Sequence, residues 1–285
     1  MFNKILLASL GITLTLTCHA ASVWKVSKNG DKVFIGGTIH LLSKSDYPLP
    51  KEYETAYDAA DTLVFETDIS TMNSVEFKQK NMGYMLLADG KTIKDMISAD
   101  TFKQLEAHFE SRNLPINNFL PFKPSFLAIT LTLLELQQMG ISNTGVDMYY
   151  ATKGTIDGKS NSWLEEPEEQ LTLLANMGAG REDQMIAYAL SDIKEIQQVM
   201  PKMIAAWRSG NTQALNNIGI TDFKADYPNL YHDLLVDRNQ KWLPKIEALF
   251  NNQHTELVLV GALHLVGEDS VLAMLKNKGY QIEKL

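Results

Sequence analysis

The sequence predicts an α/β fold: a central mixed β-sheet built from two related strand-GxxH-helix-strand units at the chain ends, with a helical insertion between them. Two observations carry this expectation. Both ends read strand, Gly-x-x-His, loop, helix, strand, and the stretch between them repeats its apolar residues at helical spacing. At 285 residues, 45% of them hydrophobic and 21% charged, the chain is long enough to bury a large core.

Residues 1–20 read as an export leader: Lys4, an apolar run, then Cys18-His19-Ala20 as a small-x-small cleavage site. The run falls short of the ~20 residues of a spanning helix, so cleavage near Ala20 is expected, leaving residues 21–285 as one domain, without a stable membrane span, in the periplasm or outside the cell. Lipidation at Cys18 is the lesser alternative, because Thr15-Leu16-Thr17 lacks the small residue expected before a lipidated cysteine. Cys18 is the only cysteine. Its loss with the leader rules out disulfides, zinc-thiolate sites and cysteine nucleophiles.

After the leader, Lys28-Asn29-Gly30-Asp31 between two apolar runs predicts a β-hairpin. It feeds into Gly37-Thr38-Ile39-His40, then a helix over 52–60 and a strand over 62–67, together a βαβ unit. Helices are expected over about 70–250, as a subdomain roofing a cleft. Within it, residues 122–139 form a helix stopped by Gly140, and Gly154 ends a helix that starts near Val146. A strand is expected over 160–165, and Pro244 is expected to kink the last helix of the insertion. The opening pattern then returns: a strand over 257–260, Gly261-Ala262-Leu263-His264, a helix over 268–278 and a strand over 280–283.

Composition narrows the function. The formal charge is −8, and −9 once Lys4 is lost, with 25 basic residues against 34 acidic. No basic cluster offsets it, which argues against nucleic acid or anionic lipid as a partner. Residues 154–160 miss the spacing of a phosphate-binding loop by one residue and follow a helix, and Gly178-Ala179-Gly180 lacks a dinucleotide fingerprint. Neither HExxH nor GxSxG occurs, which removes thermolysin-like proteases and α/β-hydrolases as templates.

The chemistry concentrates at the two GxxH copies. Each histidine follows the carboxyl end of an apolar strand, where open α/β sheets place ligands, so His40 and His264 are expected to face one cleft. His108, His232 and His254 lack this context and read as surface or core residues. Glu66 ends an otherwise apolar strand, where a carboxylate needs an ion partner, hydrogen bonds or a bound cation. Two imidazoles and a carboxylate with open coordination positions suit Mn, Co, Zn or Fe. A salt bridge from Glu66 to Arg238 is the plainer role, and compatible with the first.

Gly37-Thr38-Ile39-His40, Glu66, Gly145-Val146-Asp147, Leu164-Glu165 with Gln170, Asp237-Arg238-Asn239 and Gly261-Ala262-Leu263-His264 occur in an order that resembles TraB/GumN proteins across essentially the whole chain after the leader. That family includes the Tiki proteases, which act on Wnt proteins, and it resembles the erythromycin-esterase (EreA) and haem-binding ChaN folds. The resemblance implies a metallopeptidase dependent on Mn or Co, acting on a peptide or protein substrate. It implies a centre of His40, Glu66 and His264, with Arg238 steadying a carboxylate or oxyanion or pairing with Glu66 or Asp147, and with Asp147, Glu165 and Gln170 in support. The same scaffold also admits a haem- or metal-binding module without catalysis, or a metal-independent esterase. Oligomeric state is not encoded in any of these features.

Overall fold

The computed structural model describes residues 21–141 and 144–285; the expected leader, with Lys4 and Cys18, lies outside the described residues. The chain opens with β1 (Val23–Lys28) and β2 (Asp31–Thr38), paired antiparallel. Asn29 and Gly30 between them both adopt positive φ (54° and 90°), the tight hairpin geometry that Asn-Gly favours. There follow α1 (Lys51–Ala59) and β3 (Thr62–Thr67). The short helices α2 (Ile69–Asn73), α3 (Val75–Lys80) and α4 (Met82–Met85) come next, the first two capped by the side chains of Asp68 and Ser74. Longer helices α5 (Ala99–Ser111), α6 (Pro124–Gln138) and α7 (Val146–Asp157) lead to β4 (Ser160–Glu165). Helices α8 (Pro167–Asn176), α9 (Glu182–Arg208), α10 (Thr212–Gly219), α11 (Thr221–Asp226), α12 (Pro228–Tyr231) and α13 (Asp237–Glu247) precede β5 (Glu256–Gly261), α14 (Val271–Asn277) and β6 (Gln281–Lys284).

The six strands form one sheet in the order β4-β3-β5-β2-β1-β6. β2 and β3 both pair parallel with β5, and β4 pairs parallel with β3. β1 opposes both β2 and β6, so β6 shares the common direction and β1 alone is reversed. The sheet is therefore mixed, as the sequence predicts, and each GxxH unit is a strand-helix-parallel strand crossover.

Side chains along β5 alternate between two cores. Leu257 and Leu259 pack with Phe34, Leu63, Phe65, Tyr53 and Trp207 on one face. Val258 and Val260 pack with Ile35, Val64, Trp242, Ile246 and Leu275 on the other. Period-2 alternation puts Glu66 on the same face as Val64, toward α13. Register then aligns the strand ends: Thr38 lies opposite Gly261, and Thr67 opposite Glu165. The carboxyl ends of four parallel strands thus finish at one level.

One expectation needs correction. Gly154 does not end its helix; α7 runs on to Asp157 and is closed by Gly158 at φ 72°. A β-carbon on Gly154 would come within 2.5 Å of Leu63 Cδ1, so this glycine serves the close approach of α7 to β3. Pro244 does lie inside α13, as expected, and a π-turn at His232–Val236 precedes that helix, a feature the sequence reading did not anticipate. Gly140 does follow its helix with φ 76°, and no helix among the described residues is long and apolar enough to cross a membrane.

A third core joins α5, α6 and α9 through Leu105, Phe109, Leu127, Leu131, Ile186 and Ile193. At its edge Arg112 Nε and Nη2 donate to the two oxygens of buried Glu135 at 2.7 and 2.9 Å. His108 belongs to this pair, its Nε2 3.4 Å from Glu135 Oε1, while His232 and His254 are exposed. The Arg112 hydrogen bonds outweigh burial and hold the Glu135 carboxyl below the usual range. A carboxyl depressed in the folded state stabilises the fold above its unfolded value, near ~4.3, and loses that contribution as pH falls through the folded value. Glu135→Gln is therefore expected to lower unfolding stability by about 1–3 kcal/mol at pH 7. The deficit should shrink as pH falls below about 4, as read from urea midpoints of both proteins at each pH.

Candidate active site

His40 leaves the end of β2 on a short loop whose path is fixed by contact with α7. Val146 N–H donates to Ile39 O at 3.1 Å. A β-carbon on Gly145 would lie 2.3 Å from the carbonyl carbon and oxygen of His40, so only glycine permits this approach. The contact brings Asp147, in the first turn of α7, to 2.9 Å from His40 Nδ1 through Oδ2. A carboxylate only accepts, so Nδ1 carries the proton and Nε2 is left for the cleft. The Asp147 charge raises the His40 pKa to about 9, against the effect of desolvation. The ring is 62% exposed, so solvent screens part of that attraction.

His264 occupies the turn after β5 and is 4% exposed. Its Nδ1 lies 2.7 Å from Asn239 Oδ1, and the Asn239 amide nitrogen donates to Asp269 O at 2.9 Å, which fixes that oxygen toward the ring. Nδ1 must then be the protonated nitrogen, and Nε2 accepts from Arg238 Nη1 at 3.2 Å. Burial, with Arg238 and His40 adding to it, lowers the His264 pKa to about 3. The ring is a neutral imidazole, packed 4.4 Å from the Trp242 ring centroid.

Glu66 stands between the two histidines. Its Oε1 accepts from Gly261 N–H at 2.7 Å, and its Oε2 accepts from Arg238 Nη2 at 2.7 Å and from Gln170 Nε2 at 3.4 Å. Burial opposes its charge, but Arg238, then His264, His40 and the Gly261 amide, outweigh burial and hold the carboxyl well below the usual range. Arg238 also clasps Glu165, with Nε and Nη2 each 2.9 Å from its oxygens. The guanidinium lies 4.6 Å above the Trp242 ring, whose Nε1 donates to Glu165 Oε1 at 2.9 Å. Desolvation works against the charge on Arg238, yet the two carboxylates keep it firmly protonated.

These groups converge. A β-carbon built on Gly261 would lie 3.2 Å from Glu66 Oε1, 3.5 Å from His264 Cδ2 and 3.6 Å from His40 Nε2. The structure thus brings His40, Glu66 and His264 to one place, with Arg238, Glu165, Gln170 and Asp147 around them. Arg238 pairs with Glu66 and Glu165; Asp147, the other partner expected for it, serves His40 instead. Sequence reasoning missed the roles of Asn239 and Trp242, although both lie one residue or one helical turn beyond Arg238.

Among the described residues no three His, Cys, Asp or Glu side chains are gathered tightly enough to form a ready-made cation cage, and Arg238 Nη1 occupies His264 Nε2. The charge balance nevertheless suits a cation. With His40 protonated, Glu66, Asp147 and Glu165 face the His40 ring and one guanidinium and leave one negative charge, and a bound cation would require His40 to give up its Nε2 proton. Asp147 Oδ1 is buried and unpaired among the described residues.

A profile of the TraB/PrgY/gumN family matches residues 22–284. The chain belongs to that family. It is 24% identical over 244 residues to the uncharacterised protein YbaP of Escherichia coli K12, covering 84% of this chain and 86% of that one, and the Shigella flexneri YbaP matches equally well. It is 20% identical to the metalloprotease TIKI2 of Danio rerio over 88% of this chain and 58% of the zebrafish protein. No solved structure matches the family member described here.

Replacing Arg238 by Met would leave Glu66 and Glu165 buried without their cation. Loss of one partner from such a cluster is expected to lower stability by about 3–5 kcal/mol, read from urea unfolding at pH 7; a loss under about 1 kcal/mol would contradict the pairing.

Proposed function

We propose that this protein hydrolyses peptide bonds at the point above Gly261, with a divalent transition metal held by His40, His264 and Glu66. The convergence of His40 Nε2, Glu66 Oε1 and the His264 ring on that point carries the reading. Membership of the TraB/PrgY/gumN family and similarity to a metalloprotease support it. Mn or Co is favoured, with Zn or Fe as alternatives, and the expected leader makes the periplasm or the exterior the place of action.

A bound divalent cation supplies Lewis acidity, polarising a carbonyl and acidifying a water. The side chains do the rest. Asp147 holds the proton on His40 Nδ1 and Asn239 holds it on His264 Nδ1, so that each Nε2 would be the nitrogen that holds the metal. If His264 Nε2 held a metal, Arg238 Nη1, which now donates to it, would be free to donate to an oxyanion while Nε and Nη2 kept Glu66 and Glu165. Gln170 donates to the same Glu66 oxygen as Arg238, and Trp242 packs against the guanidinium.

The test pairs elemental analysis of the purified protein with cleavage of a peptide library with and without Mn. The wild type is expected to retain about one metal per chain and to cleave, and His40→Ala and His264→Ala to lose both by roughly a hundredfold or more. Full activity in either variant, or cleavage indifferent to a chelator, would contradict the proposal. A Soret band in the purified protein would instead mark haem binding.

A further inference from the structure

We propose that the cleft beside this centre is a specificity pocket for a bulky apolar side chain, so that the peptide bond cut is one flanked by leucine, methionine or phenylalanine. The proposal rests on the hydrolase reading and adds the substrate class to it. The cavity is about 510 Å³ and shares His40, Glu66 and Arg238 with the centre, a size within the usual range of ligand pockets. Its apolar lining includes Met72, Phe77, Met85, Phe126, Met148 and Leu174. These six come from α2, α3, α4, α6, α7 and α8, so the helical insertion supplies most of the apolar wall beside the strand ends that carry His40 and Glu66.

Of the polar groups in the lining, Thr67 Oγ1 and Asp147 Oδ1 are buried without a hydrogen-bond partner among the described residues, while others are engaged within the protein. Asn81 Nδ2 donates to Phe77 O at 2.9 Å. Lys78 Nζ donates to Asn73 Oδ1 at 3.3 Å in an exposed position, and Gln170 turns to Glu66. A substrate side chain entering the cleft therefore meets thioethers, rings and branched methyls. Met72, Met85 and Met148 add unbranched, polarisable chains to this lining, which adapt to occupants of different shape. This favours a preference for apolar bulk over selection of one residue. A carbonyl seated above Gly261 has this lining as its immediate neighbour, since His40 and Glu66 border both.

The test uses the full chain loaded with Mn and a peptide series identical except for one position, which carries Leu, Met, Phe, Ser, Gln or Lys. The apolar members are expected to be cleaved with kcat/KM roughly tenfold or more above the polar ones. Met72→Lys and Leu174→Gln, both at half-buried positions, should erase most of that preference, while Met72→Leu keeps it. Equal cleavage across the series by the wild type, or an unchanged preference in both Met72→Lys and Leu174→Gln, overturns the pocket and leaves the hydrolase intact.

Anisotropy of the dye-labelled Leu and Ser peptides separates the two ideas if nothing is cleaved. A Leu peptide bound roughly tenfold more tightly than its Ser counterpart, with the difference lost in Met72→Lys, supports the pocket although the hydrolase fails. Equal binding of the two peptides sinks the pocket as well.

Discussion

One guanidinium organises the centre of this protein. Arg238 reaches from α13 to Glu66 on β3, Glu165 on β4 and His264 beyond β5, tying together the ends of three strands. Its planar fork is what makes this reach workable, because Nε and Nη2 serve one carboxylate while Nη2 and Nη1 serve two further groups. A lysine would offer a single point charge. Buried ion clusters of this kind contribute little net stability compared with well-packed apolar residues, so the arrangement is better understood through what it leaves available. It leaves an excess of negative charge, a neutral imidazole at His264 and an anionic Glu66.

The two histidines are equivalent in sequence and unequal in space. His264 is buried, neutral and held between Asn239 and Trp242, the condition of a fixed ligand. His40 is exposed to the cleft and backed by a carboxylate, the condition of a ligand that also meets substrate. Backbone proximity makes the difference: Gly145 lets α7 press on the His40 loop, and Gly261 leaves room between Glu66 and both rings. A side chain at Gly145 would push the His40 loop away, and one at Gly261 would crowd Glu66 Oε1.

Much of this was legible from residue order. Asn-Gly marked the hairpin, alternating and continuous apolar runs marked the strands, and a glutamate ending an apolar strand had to have a partner. The matched GxxH contexts placed both histidines at the carboxyl edge, because parallel strands that share a direction end together. The details that escaped depend on contacts between distant segments. Glu165 becomes the partner of Arg238 because β4 pairs with β3 in a register that sets Glu165 opposite Thr67, one residue beyond Glu66. Gly154 looked like a helix stop because its neighbour Leu63 lies far away in sequence. Asn239 adjoins a recognised arginine, but nothing in its local sequence says that its amide is committed to Asp269 and hence to one tautomer of His264.

The proposed centre makes one claim, that a divalent cation would be bound by both GxxH histidines at once, in place of Arg238 at His264 Nε2. Pulsed EPR of the Mn-loaded protein tests it directly, through the modulation that ligand nitrogen imposes on the metal spin. The account predicts coupling to imidazole nitrogen that falls by about half in His40→Ala or His264→Ala, in keeping with one nitrogen from each ring. A wild-type signal like that of hydrated Mn, with no nitrogen coupling, would contradict it.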